Sequence, residues 1–217
     1  SKNIAVKELA AYTPEILLTP ILLRMIRGLS EMEELEGLNN RDEIYSKWFK
    51  HLLSQDDLDA KENILDKCIS QLAEISFQQM VDGKIQRFQK EEPGFDKSEI
   101  QMEKFDLLMQ GDDIAPGWKG IIQQTPRRWE FCHRSYQEYF AARHLANMPD
   151  WQEIVRKNCG DEKWHEAFKI LAGMVSGKEL FDIFIEEGAV MLAGNSLAEV
   201  QDLPEGQSLL VRQLLKY

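Results

Sequence analysis

The stretch Trp129-Glu130-Phe131-Cys132-His133-Arg134-Ser135-Tyr136-Gln137-Glu138 holds the densest gathering of residue types that could do chemistry. Its histidine follows a short alternating run, Trp129, Phe131, His133, and precedes a helical pattern, so it falls at a strand-to-helix corner. An imidazole at such a corner either caps and packs within the fold or presents a ring nitrogen to a ligand. The other histidines, His51, His144 and His165, complete a set of four with no HExxH and no repeated i, i+4 pairing, so no metal centre is expected. Three cysteines, Cys68, Cys132 and Cys159, form no CxxC pair and have no histidine placed locally to activate them. They read as reduced, buried thiols of a cytoplasmic protein.

One further segment suggests phosphate chemistry and fails on spacing, and the motif for a nucleophilic serine is absent. No G-x-S-x-G elbow occurs. Gly173-Met174-Val175-Ser176-Gly177-Lys178 places three residues between its glycines where a phosphate loop needs four, and Glu179 stands where the magnesium-binding Ser or Thr belongs. The segment also follows an amphipathic helix instead of a strand, and it reads as a helix-ending loop. Most carboxylates fall on solvent faces of the expected helices, so no catalytic residue is assigned.

At the histidine corner several local rules coincide. Ser135-Tyr136-Gln137-Glu138 fits a capping box, in which the Ser135 hydroxyl accepts from the Glu138 amide and the Glu138 carboxylate accepts from the Ser135 amide. Tyr136, Tyr139 and Phe140 then share a face, and Ala141, Ala142 and Ala146 let another backbone come close. His133 is left two residues before the expected cap.

The elements that must position this corner are almost all helices. Thr19 and Pro20 have the form of an N-cap followed by a helix-starting proline, with an apolar run behind them and Gly28 near the expected end. A second helix after Asn39 and Asn40 carries Ile44, Tyr45, Trp48, Phe49, Leu52 and Leu53 along one face. A third, with Ile64, Leu65, Cys68, Ile69, Leu72 and Ala73 as its stripe, ends near Asp82 and Gly83. Short helical pieces at 85–89 and 99–109 follow. Strand-like runs at 121–124 and 129–131 then flank Thr125-Pro126-Arg127-Arg128, which suits a hairpin. Helical segments are expected at 137–147, 151–158, 164–174, 179–186, 191–197 and 207–217. The fold class is therefore mainly α, with helices, one small terminal hairpin in the order of a winged-helix unit, and then either a helical bundle or the start of helical repeats.

Composition narrows the classes of function. The 217 residues are 43% hydrophobic and 29% charged, ordinary values for a globular chain able to bury a good-sized core or several small ones. A net charge of −11 argues against nucleic-acid binding, since phosphate contacts need a basic field. Arg127, Arg128 and Arg134 form the nearest basic patch. No apolar run approaches the ~20 residues that span a bilayer, and no signal peptide opens the chain, so no membrane span is expected.

Phe131-x-His133-x-Ser135-Tyr136-Gln137-Glu138-Tyr139-Phe140-Ala141-Ala142 resembles the F-x-H-x-S-F-Q-E-Y-F-A-A signature of NACHT-type STAND NTPases, the family of NOD-like receptors and their bacterial relatives. Leu18-Thr19-Pro20-Ile21-Leu22-Leu23 is similar to the family's N-P-L-L-L helix, with Thr19 in place of the usual Asn. Asn40-Arg41-Asp42-Glu43-Ile44-Tyr45 is similar to its R-x-E-L-Y helix, and Trp164 to Gly173 to its W-x-E-x...L-A-G segment.

The resemblance implies a first helical domain over residues 1–55, a winged-helix domain over 56–134 and a second helical domain over 135–217. It further implies that Pro20 packs on the adenine of a bound nucleotide and that His133 points to the β-phosphate of ADP, closing the chain over a nucleotide held elsewhere. The P-loop and acidic Walker B strand that hold ATP or ADP with magnesium lie N-terminal to this region in the family. The isolated chain should accordingly hold no nucleotide, its first partner should be a P-loop domain of the same polypeptide, and activation should bring homo-oligomerisation. The alternatives are an acidic winged-helix nucleic-acid-binding protein and a helical scaffold for protein partners. An expected recognition region at 97–110 carrying Glu99, Glu103 and Asp106 weighs against the first of these.

Overall fold

The computed structural model describes residues 19–32, 38, 40–54, 62–83, 109–110, 113–114, 120–124 and 129–200. Over these residues the chain is mainly α. In chain order the elements are α1 (Pro20–Glu31), α2 (Arg41–Ser54), α3 (Glu62–Val81), β1 (Met109–Gln110), β2 (Asp113–Ile114), β3 (Ile122–Gln124) and β4 (Trp129–Phe131). Then follow α4 (Arg134–Ala146), α5 (Trp151–Asn158), a 3-10 turn (Glu162–Trp164), α6 (His165–Leu171), α7 (Gly177–Glu186), α8 (Val190–Ser196) and a final 3-10 turn (Leu197–Glu199). The chain forms two compact units, one from residues 1–49 together with 146–217, the other from 50–145.

In the first unit, Thr19 is extended at the N-cap of α1 and Pro20 opens the helix, although the Thr19 side chain makes no capping bond. Proline fits there because the first-turn N–H it lacks would have no intrahelical partner. Gly28, expected near the helix end, lies in the last turn of α1, which runs on to Glu31. It also serves packing: a Cβ built on Gly28 would overlap the Trp48 ring, so the missing side chain makes room for the indole of α2. Asn40 opens α2 with a reciprocal N-terminal capping box. Its Oδ1 accepts from the Glu43 amide at 2.9 Å, and Glu43 Oε2 accepts from the Asn40 amide at 3.3 Å.

The core of this unit takes Leu22, Met25, Ile26 and Leu29 from α1 and Ile44, Tyr45 and Phe49 from α2. An aromatic chain continues it: Trp164 stacks on Phe168 at 5.5 Å, Phe168 meets Phe184 at 6.3 Å, and Phe184 meets Phe181 at 6.4 Å. Helix α8 packs on both α6 and α7, and α7 on α5. The expected helix over 164–174 divides into the 3-10 turn and α6, which stops at Leu171. In the phosphate-loop lookalike, residues 173–176 form the loop expected after α6, whereas Gly177 and Lys178 already belong to α7. Ser176 Oγ accepts from the Glu179 amide at 3.5 Å and so starts α7.

In the second unit, α3 buries Ile69, Leu72, Ala73 and Met80, and ends in a turn whose Gly83 has φ of 69°, a conformation that favours glycine. Its earlier stripe residues Ile64, Leu65 and Cys68 have side chains outside the described set. Strands β3 and β4 pair antiparallel with Ile122 opposite Phe131 and Gln124 opposite Trp129. Met109, expected at the end of a helical piece, instead pairs with Ile114 in the β1–β2 ladder. The rest of the pieces at 85–89 and 99–109, the segment 207–217 and the residues 125–128 lie outside the described residues.

Candidate functional site

The corner between β4 and α4 is built from both sides. Phe131 is 7% exposed and its ring meets Phe140 at 5.9 Å, which ties the strand to the helix. The Cys132 amide donates to the Ile121 carbonyl at 2.8 Å, extending the ladder one residue beyond the strand. Helix α4 is buried nearly all round through Tyr136, Gln137, Glu138, Tyr139, Phe140, Ala141, Ala142 and Leu145. Gln137 Nε2 donates to Gln79 Oε1 at 2.7 Å, and the Phe77 ring lies 5.0 Å from that of His144, so α3 and α4 are joined by both polar and ring contacts. A corner held by two rigid elements leaves little freedom to the two residues between them.

His133 is that corner residue, exposed and immediately before the helix. Its carbonyl accepts from the Tyr136 amide at 3.0 Å, and its Nδ1 accepts from the Ser135 amide at 3.1 Å. The imidazole thus serves as the N-cap of α4. The Ser135 Oγ lies 2.6 Å from the same Nδ1. A backbone amide can only donate, so Nδ1 carries the lone pair and the ring proton sits on Nε2. The Tyr136 ring flanks the imidazole edge-on at 6.0 Å. Burial of part of the ring pushes its pKa below the ordinary 6.5, in agreement with a nitrogen committed to accepting.

The capping box expected at Ser135 and Glu138 is not what forms. Helix α4 starts at Arg134, so Ser135 lies inside the first turn and its hydroxyl and amide both turn back to His133. Glu138 pairs instead with Arg134 Nε at 2.6 Å. A histidine is absent from the usual list of cap residues, and a serine two positions into a helix leaves the same local pattern as a cap.

Pro20 lies exposed at the first position of α1, with Leu23 38% exposed one turn on. It belongs to the first unit and His133 to the second. Cys132 is exposed, against the expectation of buried thiols, because the corner turns it outward. Cys159 is buried, and that burial, with the charge of Glu187, pushes its thiol up. Among the described residues no group of three or more His, Cys, Asp and Glu is arranged to hold a metal ion, and no described helix is long and apolar enough to cross a membrane.

One polar centre joins Arg41 and Glu166, which fall in the two segments singled out above, to Glu199, which no local pattern marked. Arg41, 6% exposed at the start of α2, places Nε 2.7 Å from Glu199 Oε1 and Nη1 2.8 Å from Glu166 Oε2. Its own amide donates to Glu199 Oε2 at 2.8 Å. Burial alone would lower the Arg41 pKa, but the two carboxylates outweigh it and raise it. Burial likewise opposes ionisation of Glu166, and Lys169 and Arg41 together still hold that carboxyl below its usual range. Glu199 lies 158 positions and Glu166 125 positions from Arg41, beyond the reach of any periodic pattern.

Compared with models of known families, with curated proteins and with solved structures, the chain matches none.

Proposed function

We propose that the chain is the nucleotide-sensing and signal-relay portion of a NACHT-type NTPase, closing over an ADP held by a P-loop domain. The observation that carries this reading is the His133 corner. Here Nδ1 is spent on the cap, while His133 as a residue is exposed and its Nε2 has no hydrogen-bond partner among the described residues. An N–H at that place can donate to a phosphate oxygen, and a corner clamped by β4 and α4 keeps its direction fixed. The exposed Pro20 ring adds a rigid apolar surface on which an adenine could lie at small entropic cost.

The chain supplies edge contacts and no phosphate cradle, so hydrolysis belongs to the P-loop domain. Docking of His133 on a β-phosphate is disfavoured where a γ-phosphate occupies the same space, which makes the closed state a two-state element biased by the ligand, with coupling typically ~1–3 kcal/mol. Activation then releases the ADP-closed form and permits homo-oligomerisation.

The test is the ADP carried through purification by the parent polypeptide. His133→Ala should lower it, by up to about a hundredfold if the lost bond is charge-assisted, and should favour oligomers without the trigger. Unchanged ADP content in a folded variant would overturn the reading. Duplex binding by the chain at low salt would favour the winged-helix nucleic-acid alternative instead.

A further inference from the structure

We infer that Asn40 and Arg41 at the start of α2, closed on Glu199 of the last 3-10 turn, form an autoinhibitory clasp that holds the N-terminal helices to the C-terminal ones while ADP is bound and parts when the chain opens. This inference rests on the nucleotide reading above and names a contact that regulates that site.

The clasp is buried and polar. One oxygen of the Glu199 carboxylate meets Arg41 Nε at 2.7 Å and the other accepts from the Arg41 amide at 2.8 Å, while Asn40 Nδ2 donates to the Glu199 carbonyl at 3.5 Å. Asn40, Arg41 and Glu199 are all buried. Glu166 meets the same guanidinium from the half-buried rim and is itself paired with Lys169. Gly173 is fitted to this contact. The nearest atoms to a Cβ placed on it are Asn40 Nδ2 at 2.9 Å, Asn40 Cγ at 3.2 Å and the Glu199 carbonyl oxygen at 3.3 Å, and all three belong to the clasp. Asn40 cannot simply turn aside, because its Oδ1 accepts from the Glu43 amide.

Such a joint has an asymmetry that an apolar one lacks. Removing one charged partner strands the other in the interior, whereas parting the two returns both to water and recovers the desolvation that burial costs. An apolar joint would instead expose its surface to water on parting. The clasp is therefore selective when shut and tolerant of opening. Its place in the chain gives opening a consequence. On one side, α1 and α2 carry Pro20; on the other, α4, the helix that His133 caps, leads directly into α5. While the clasp holds α2 to the C-terminal helices, it opposes any movement that would separate the Pro20 contact from the His133 contact, and ADP stays enclosed.

The experiment is the rate at which the parent polypeptide, purified with ADP, exchanges it for excess ATP with magnesium. Gly173→Ala wedges the shut clasp and leaves every charge in place, so release should quicken by roughly five- to a hundredfold. Arg41→Met combined with Glu199→Leu fills the joint with apolar side chains of similar volume and should slow release by a comparable factor. Urea midpoints identify which variants are folded, and if Gly173→Ala is not, the apolar pair decides alone. Release at or below the wild-type rate in folded Gly173→Ala overturns the inference, and so does release at or above it in the apolar pair. Either result, with ADP lost from His133→Ala, leaves the nucleotide reading standing. Wild-type ADP content in His133→Ala overturns that reading itself, and the part assigned to the clasp in nucleotide release with it.

Discussion

At the scale of single residues, the corner shows how one side chain can satisfy the fold and still keep a reactive edge. His133 gives Nδ1 to the helix and retains Nε2–H, whereas His144 lies against Phe77 within the second unit. Both imidazoles have pKa values below 6.5, His133 through burial and His144 through burial opposed by the charge of Glu74. The folded state therefore binds fewer protons than the unfolded chain in this range. Their contribution to stability is whole above about pH 6.5 and is lost as pH falls through the lowered folded values. Denaturant midpoints should consequently drop between about pH 8 and about pH 5.5, a window that stays above the carboxylates. The pair of changes His133→Asn and His144→Gln, which removes both titrations and keeps a competent cap at 133, should flatten that drop. An equal fall in wild type and double variant would place the proton-linked loss in other groups.

At the scale of elements, α1 and α2 meet where Gly28 faces the Trp48 ring. In an open helix, replacing glycine by alanine stabilises by roughly 0.5–1 kcal/mol through chain entropy. Here the added methyl meets an aromatic ring within contact distance, and overpacking of that kind costs roughly 1–3 kcal/mol. The steric cost should win, so Gly28→Ala is expected to lower the denaturation midpoint; a rise would mean that Trp48 is free to move aside. Gly28 also marks the boundary of what local pattern can reveal. Helix α5 was legible from Trp151 to Asn158 because periodicity and breakers coincide at both its ends. The antiparallel runs at Ile122–Gln124 and Trp129–Phe131 were legible for the same reason. Gly28 reads from local pattern as a helix end, but its second part, room for the Trp48 indole, does not show there, since that indole comes from another helix. At the candidate site the corner and its histidine were legible from alternation passing into helical spacing. The shift of the cap from Ser135 to His133 was not, since it depends on which side chain reaches an amide in three dimensions.

At the scale of the whole molecule, the first unit is assembled from the two ends of the sequence, residues 1–49 and 146–217. Arg41 records that assembly chemically. Its guanidinium and amide are met by Glu199, which is 1% exposed and 158 positions away, and a Cβ on Gly173 would press on Asn40 beside it. Burying two charges costs several kcal/mol per ion, so the pair adds little over an apolar substitute of the same volume. Breaking it is different, because the remaining charge stays buried without compensation. Glu199→Ala should therefore destabilise the chain by roughly 3–5 kcal/mol. Glu166→Ala should cost much less, since that carboxylate is 41% exposed and Arg41 keeps its closer partner. The combined change Arg41→Met with Glu199→Leu should recover most of the loss, for it removes both charges and keeps the volume. Urea midpoints of the four proteins decide the matter. A double variant as unstable as Glu199→Ala would show that the hydrogen bond from the Arg41 amide to the Glu199 carboxylate, and not charge balance, holds the two ends of the sequence in one unit.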